Sequence, residues 1–284
     1  MNDQTSAISC LLRGLFDDAS LFPPASLTMV DAVAGHLRHQ TAWYRETSGP
    51  FVCADTRLGQ LSTVLTAAGV AELDLALVLP GGAGGLTAAA DAVFADPRLR
   101  LRAVELPVGA DSAADVVAAL DATPLQGASA FLEIPVAAVD DRSLQVIAEH
   151  RYRLKLRTGG VDADAFPDET TLARCLTVLA DARQPFKCTA GLHHAIRHGA
   201  PDTGFEQHGF LNVLLAVRAA LDGASETQVA AVLADQDAGR VTRAVADLDD
   251  DQGAEVRSLF TSFGTCSTDE PVADLVTLGL VSDD

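Results

Sequence analysis

Lysine is almost missing from this chain. Of its 20 basic residues only two are lysine, Lys155 in "LKLRTGG" and Lys187 in "FKCTAGLHH"; the rest are arginine. Basic charge of either kind is scarce, because 39 acidic residues leave a formal charge of −19 and a pI near 4.5. A surface of that sign repels polyanions, so neither nucleic acid nor an anionic membrane is expected as a partner. No apolar run approaches the roughly 20 residues that cross a bilayer. The opening "MNDQTSAISC" lacks the basic start and apolar stretch of a secretory signal. The cysteines, at 10, 53, 175, 188 and 266, are odd in number and form no Cys-x-x-Cys. That pattern fits reduced thiols in a cytoplasm better than disulfides or a zinc knuckle. Also missing are a G-x-G-x-x-G after the first strand, which weighs against a dinucleotide fold, and any H-E-x-x-H.

What is present is a repeated interval. Three short apolar runs, "LALVLP", "RAVELP" and "AFLEIP", end at Pro80, Pro107 and Pro135. Each is followed by an alanine-rich stretch of helical composition, "LTAAADAVFADP", "SAADVVAALDA" and "DRSLQVIAEH". Strand and helix alternating at this spacing mark βαβ units and a parallel sheet. The pattern extends upstream through "RGLFDDASLFPP" and "GPFVCAD", and downstream through "RLKLRTGG", "PFKCTAGLHH" and "RSLFTSFGTCS". Pro167-Asp168 opens the helix "DETTLARCLTVLADA", and Asp269 is a natural N-cap for "EPVADLVTLGL". Eight such strands predict an α/β fold of one domain, a (β/α)8 TIM barrel over residues 1–284. Residues from about 195 to 256 exceed one crossover and predict a helical insertion between strands seven and eight. The acidic "DLDDD" at 247–251 is expected as a solvated loop.

In such a barrel the chemistry sits at the C-terminal strand ends. The residues standing there are Asp17, Asp18, Glu105, Glu133, Lys155, Arg157, Lys187, Thr189, His193, His194 and the segment from Ser262 to Ser267. Strand alternation puts Lys155 and Arg157 on one face, and Lys187 and Thr189 likewise. Consecutive barrel strands lie roughly 4.7–4.9 Å apart, so both lysines are expected in one pocket mouth. Two close ammonium groups, partly buried, would lower each other's pKa and yield a neutral amine able to attack a carbonyl. Arginine cannot do this, because its guanidinium stays protonated. The plain alternative is a chance pair, with one lysine bound to Glu133. Arg157 suits a bidentate grip on a carboxylate or phosphate, or equally a salt bridge to Glu133 or Glu105.

These stations resemble those of deoxyribose-phosphate aldolase and related class I aldolases. "KLRTGG" stands where that family has Lys-x-Ser-Thr-Gly, and "FKCTAGLHH" where it has Phe-Lys-x-x-Gly-Gly. "SFGTCS" stands at Phe-Gly-Ala-Ser, and the Glu of "AFLEIP" at a strand-five glutamate. The resemblance implies that Lys155 forms the Schiff base, that Lys187 depresses its pKa, and that Gly191 and Gly264 belong to remnant phosphate loops. It departs from the pattern at Arg157-Thr158, at Gly191-Leu192-His193-His194, and in lacking a strand-three aspartate, since Asp74 comes too early.

The expectation is a cytoplasmic class I, lyase-type aldolase acting on a small carbonyl compound, carboxylated or phosphorylated, with no cofactor. Lys155, Lys187, Glu133 and Asp17 would be catalytic. Arg157, Thr189, Gly191, His193, His194, Glu105, Asp18, Gly264 and Ser267 would bind substrate. One alternative is a metal-dependent lyase, isomerase or hydrolase on the same barrel, using the carboxylates with His193, His194, His198 and His208. His194 and His198 would share a face there if a helix begins among them. A non-catalytic ligand-binding barrel is the third reading, and a homo-oligomer stays open.

Overall fold

The computed structural model describes residues 10–109, 113–140, 144, 145, 147, 149–160, 162–201 and 204–282. Eight parallel strands close into a barrel: β1 (Phe16–Asp18), β2 (Ser48–Ala54), β3 (Leu73–Val78), β4 (Leu99–Pro107), β5 (Ser129–Pro135), β6 (Arg153–Arg157), β7 (Phe186–Thr189) and β10 (Phe260–Thr265). Their order follows the chain, and β1 pairs with both β2 and β10 to shut the ring. The helices between them are α1 (Met29–Thr41), α2 (Leu58–Ala67), α3 (Leu86–Phe94), α4 (Ala113–Ala122) and α5 (Glu169–Asp181). The helix expected over 141–150 falls partly outside the described residues.

Period-two alternation sorts the strands. Leu75, Leu77, Val104, Leu106, Leu154 and Leu156 face outward and are fully buried against the helices. Facing inward, Val52, Ala76, Ala103 and Phe131 form a separate small cluster. Two of the four are alanine, so that side of the barrel is underfilled and leaves space above it.

Between β7 and β10 the chain builds a hairpin, β8 (His198–Gly199) with β9 (Glu206–Gln207). Four helices follow: α6 (Phe210–Leu221), α7 (Glu226–Leu233), α8 (Ala238–Ala246) and α9 (Asp250–Leu259). Helix α6 reads "FLNVLLAVRAAL", apolar on nearly every side, which suits burial on all faces. It packs on α5, α7, α8 and α9. Asn212, fully buried on α6, accepts from the Arg197 N–H (2.9 Å) and donates to the carbonyls of Val232 (3.0 Å) and Asp235 (2.8 Å). One side chain thus ties the hairpin to the helices.

Three local expectations need correction. The last helix, α10 (Asp269–Thr277), takes Thr268 as its N-cap, so Asp269 lies one residue inside the helix. "DLDDD" is not a plain loop: Asp249 caps α9 through a capping box with Gln252, and the next two aspartates begin the helix. No helix starts at His194; His198 belongs to the hairpin, although the rings of His194 and His198 meet edge to face with centroids 4.5 Å apart.

Candidate active site

A cavity of about 940 Å³ opens at the C-terminal end of the barrel. Its floor is a row of alternating charges. Lys187 sits between Asp17, a direct salt-bridge partner, and Glu105 Oε1 at 2.5 Å. Glu105 Oε2 accepts from Lys155 Nζ at 2.8 Å, and Lys155 also reaches Glu133 Oε2 at 2.9 Å. Glu133 Oε1 accepts from Arg157 Nη2 at 2.7 Å and from Nε at 2.9 Å. The sequence of charges is therefore Asp17, Lys187, Glu105, Lys155, Glu133, Arg157, three of each sign.

Strand geometry explains half of this row. Glu133, Lys155 and Lys187 are register partners on β5, β6 and β7, so their side chains enter the barrel at one level. Glu105 comes from β4, which is no neighbour of β7, and reaches Lys187 across the barrel interior. Asp17 is fixed from two sides. Ser262 Oγ on β10 donates to its Oδ2 at 2.7 Å, and its Oδ1 lies against Gly49 of β2, where any Cβ would collide. Lys187 Nζ also stands 5.5 Å above the Phe131 ring, a favourable cation–π distance.

Burial is the strongest single influence on Asp17 and raises its carboxyl pKa; Lys187 and Ser262 oppose this without cancelling it. Burial likewise opposes ionisation of Glu105, but the two lysines together outweigh it and hold the pKa down at about 2. Glu133 is also lowered, with Lys155 and Arg157 overcoming its burial. For Lys187, burial works against the charge, yet Asp17 and Glu105 prevail and raise its pKa above the ordinary lysine value.

That last direction overturns an expectation. The lysines are adjacent and point inward, as the strand pattern predicts, but they do not face each other as bare cations. Glu105 stands between them and hydrogen-bonds both. Lys187 is a fully paired ammonium whose charge is stabilised, and repulsion between lysines does not govern the site.

The remaining candidates divide. Thr189, Gly191, His193 and Gly264 line the cavity, and Arg157 is half-exposed at its edge. Asp17, Asp18, His194 and Ser267 do not line it; Asp17 is buried behind Lys187, its salt-bridge partner. Asp18 follows Asp17 on a strand and so turns the other way, where His36 Nδ1 meets its Oδ2 at 3.1 Å and the Ser20 N–H donates to its Oδ1. With Ser267 it borders a smaller cavity of about 340 Å³. His194 is bound to Asp274 of α10 at 3.1 Å, one turn from the His193–Glu270 contact, also 3.1 Å. His208 is buried under Pro167, its Nε2 2.8 Å from that carbonyl, with a pKa pushed down to about 4 by burial first of all. Among the described residues no group of three or more His, Cys, Asp or Glu comes together as a ligand set. Asp74 pairs with Arg100 and Arg102 near the start of β3, away from the floor.

Sequence reasoning missed Ser262 as the donor to Asp17, His36 as the partner of Asp18, and Gly49 as the residue whose bare Cα admits Asp17. The alternation of β1 carried the only signal, since adjacent strand residues cannot both point inward. Cys266 borders both cavities, with Sγ 3.9 Å from His193 Nδ1 and a thiol pKa raised mainly by burial.

The loops after β6 and β7 are locked together at the mouth. A Cβ on Gly159 would lie 2.6 Å from Gly191 Cα, and one on Gly191 would lie 2.5 Å from the Thr158 carbonyl oxygen. Ala190 and Gly191 both have positive φ, 61° and 74°. Thr158, fully buried, donates from Oγ1 to the Ala190 carbonyl at 2.6 Å and holds that turn.

No protein-family model matches the sequence, and no curated protein matches it. What the fold and cavity define is a (β/α)8 barrel with a row of alternating, mutually paired ionisable side chains at the C-terminal end of its strands.

Proposed function

We propose that this barrel is a Schiff-base lyase of the class I aldolase type, with Lys155 as the amine and a small carbonyl compound as substrate. The observation that carries the reading is Lys155 itself. Its buried ammonium forms the cavity floor, held by two carboxylates, one of which also binds a half-exposed arginine. Buried ion rows are poor stabilisers, because desolvation offsets most of their attraction, so one retained at a barrel mouth points to chemistry. The likeness of the strand ends to deoxyribose-phosphate aldolase supports the same assignment.

Lys155 must lose a proton before it attacks. Glu133 is the acceptor, since it already shares a hydrogen bond with the ammonium. Its basicity is suppressed in part by Arg157. When Arg157 turns to an anionic group on the substrate, Glu133 loses that cation and takes the proton. The free amine adds to the carbonyl carbon, and the oxygen leaves as water after gaining two protons. The hydroxyl on the departing carbon then gives up its proton to a base, that fragment leaves as an aldehyde or ketone, and the iminium takes the electron pair of the broken C–C bond as an enamine. Protonation at carbon and hydrolysis restore the lysine. Glu105 stays ionised and offsets the positive charge, while Lys187 fixes Glu105 in place.

With only two lysines in the chain, trapping is easy to read. Borohydride added with a panel of small aldehydes and ketones should leave a reduced adduct on the Lys155 peptide, and none in Lys155→Arg. Peptide mass spectrometry showing no adduct on Lys155 with any carbonyl would end the proposal.

A further inference from the structure

We infer that the cavity recognises a carbonyl acid with an apolar body, an oxo-carboxylate carrying an aliphatic or aromatic tail, rather than a sugar phosphate. This deepens the Schiff-base reading and rests on it for the position of the carbonyl.

The argument starts from the distribution of polarity. Every ionisable group of the floor row comes from β1, β4, β5, β6 or β7. The other polar lining side chains, Thr189, Asp162, His193 and Gln207, belong to β7 or to the segments after β6 and β7. The facing wall consists of Phe22, Val52, Val78 and Pro80, with Pro107 above Glu105 on β4 and Phe166 leaning over from the loop after β6. None of the wall side chains offers a hydrogen bond. A polyhydroxylated chain laid there would leave each hydroxyl desolvated and unpaired, a penalty that rejects such ligands strongly. An alkyl or aryl chain pays no such penalty and gains from burial.

The acid group has one evident partner. Arg157 spends Nε and Nη2 on a single oxygen of Glu133, and its Nη1 has no protein partner among the described residues. Lys155 hangs on the other oxygen of the same carboxylate. Amine and guanidinium are therefore separated by one carboxylate and two hydrogen bonds. That span suits a carbonyl and a carboxylate on neighbouring or next-neighbouring carbons.

Of the two loops where a phosphate would be expected, the one after β7 is otherwise engaged. The side of Gly191 that lacks a Cβ faces the Thr158 carbonyl and Gly159, and Leu192 is buried. The glycine is needed there for its positive φ and for backbone packing between loops, not for the approach of a ligand.

Recognition can be measured apart from imine formation by using acids that carry no carbonyl. The wild-type chain is titrated calorimetrically with straight-chain carboxylates from butanoate to decanoate, and with ribose 5-phosphate. Binding should tighten about fourfold per methylene until the wall is covered, and the sugar phosphate should bind more weakly than octanoate. Arg157→Gln should weaken octanoate tenfold or more. The length series needs no substitution, so it stands even if the variant folds poorly. Affinity independent of chain length, or tighter binding of the sugar phosphate, would overturn the inference. Carboxylates that bind as expected without any borohydride adduct would leave recognition standing and remove the Schiff-base mechanism. A sugar phosphate trapped on Lys155, with no carboxylate binding, would do the reverse.

Discussion

Glu105 is the residue on which the floor turns. Its two oxygens each hold a lysine, so replacing it by glutamine removes the one carboxylate shared by both buried ammonium groups and leaves Lys187 with Asp17 alone and Lys155 with Glu133, itself shared with Arg157. Breaking a buried pair in this way typically costs about 3–5 kcal/mol, because the charge left behind stays desolvated. Glu105→Gln should lower the urea midpoint accordingly; a change under about 1 kcal/mol would mean that water reaches the floor. The acid limb tests the same residue. The folded-state pKa of Glu105, about 2, lies below the ordinary value of 4.5, so its contribution is complete above pH 4.5 and is lost as pH falls toward 2. Glu133 acts in the same direction, while Asp17, whose pKa is raised, acts in the opposite one. Unfolding free energy measured across that window should fall less steeply in Glu105→Gln than in the wild type. At this scale the adjacency of Lys155 and Lys187 was readable from strand spacing, because register partners on consecutive strands must meet. Glu105 between them was not, since β4 reaches Lys187 across the interior, and which levels coincide there depends on barrel stagger.

Among the elements, the loops after β6 and β7 depend on bare backbone. Gly159→Ala would place a methyl 2.6 Å from Gly191 Cα and 2.8 Å from both Gly191 N and the Phe166 ring, so that even if the ring moved the backbone contact would remain. Overpacking of this kind costs about 1–3 kcal/mol, and here it would also push the mouth apart. Denaturant titration should show that loss, and octanoate affinity should fall with it. Unchanged stability would mean that the two loops separate freely. Helix starts show how far local sequence carries. Asp168 caps α5 as its position suggests, accepting from the Thr171 N–H at 2.7 Å. The Asp-x-x-Gln spacing at 249–252 is an equally local signal for α9, but it is obscured by the acidic run around it. Asp269 was displaced by one residue because its carboxylate is engaged outside the helix, by Tyr44 and Arg38.

For the molecule as a whole, a formal charge of −19 sets a background of self-repulsion. Added salt screens that repulsion over about 8–10 Å while leaving the buried row almost untouched. The melting temperature should therefore rise as sodium chloride is raised from about 10 mM to 150 mM, near the Debye lengths that matter. A fall in calorimetric melting temperature would show that exposed ion pairs, such as Arg240 with Asp235, outweigh the net charge. The repeat of apolar runs and alanine-rich stretches was enough to specify a closed parallel barrel, because strand burial and helix periodicity are local properties that add along the chain. The same pattern placed two lysines, an arginine and a glutamate at strand ends facing one space. Tertiary structure alone decided which charges neutralise which, and that the strands opposite Lys155 present apolar side chains to the cavity. Those features arise from contacts across the barrel interior, between residues far apart in the chain, and no local spacing encodes them.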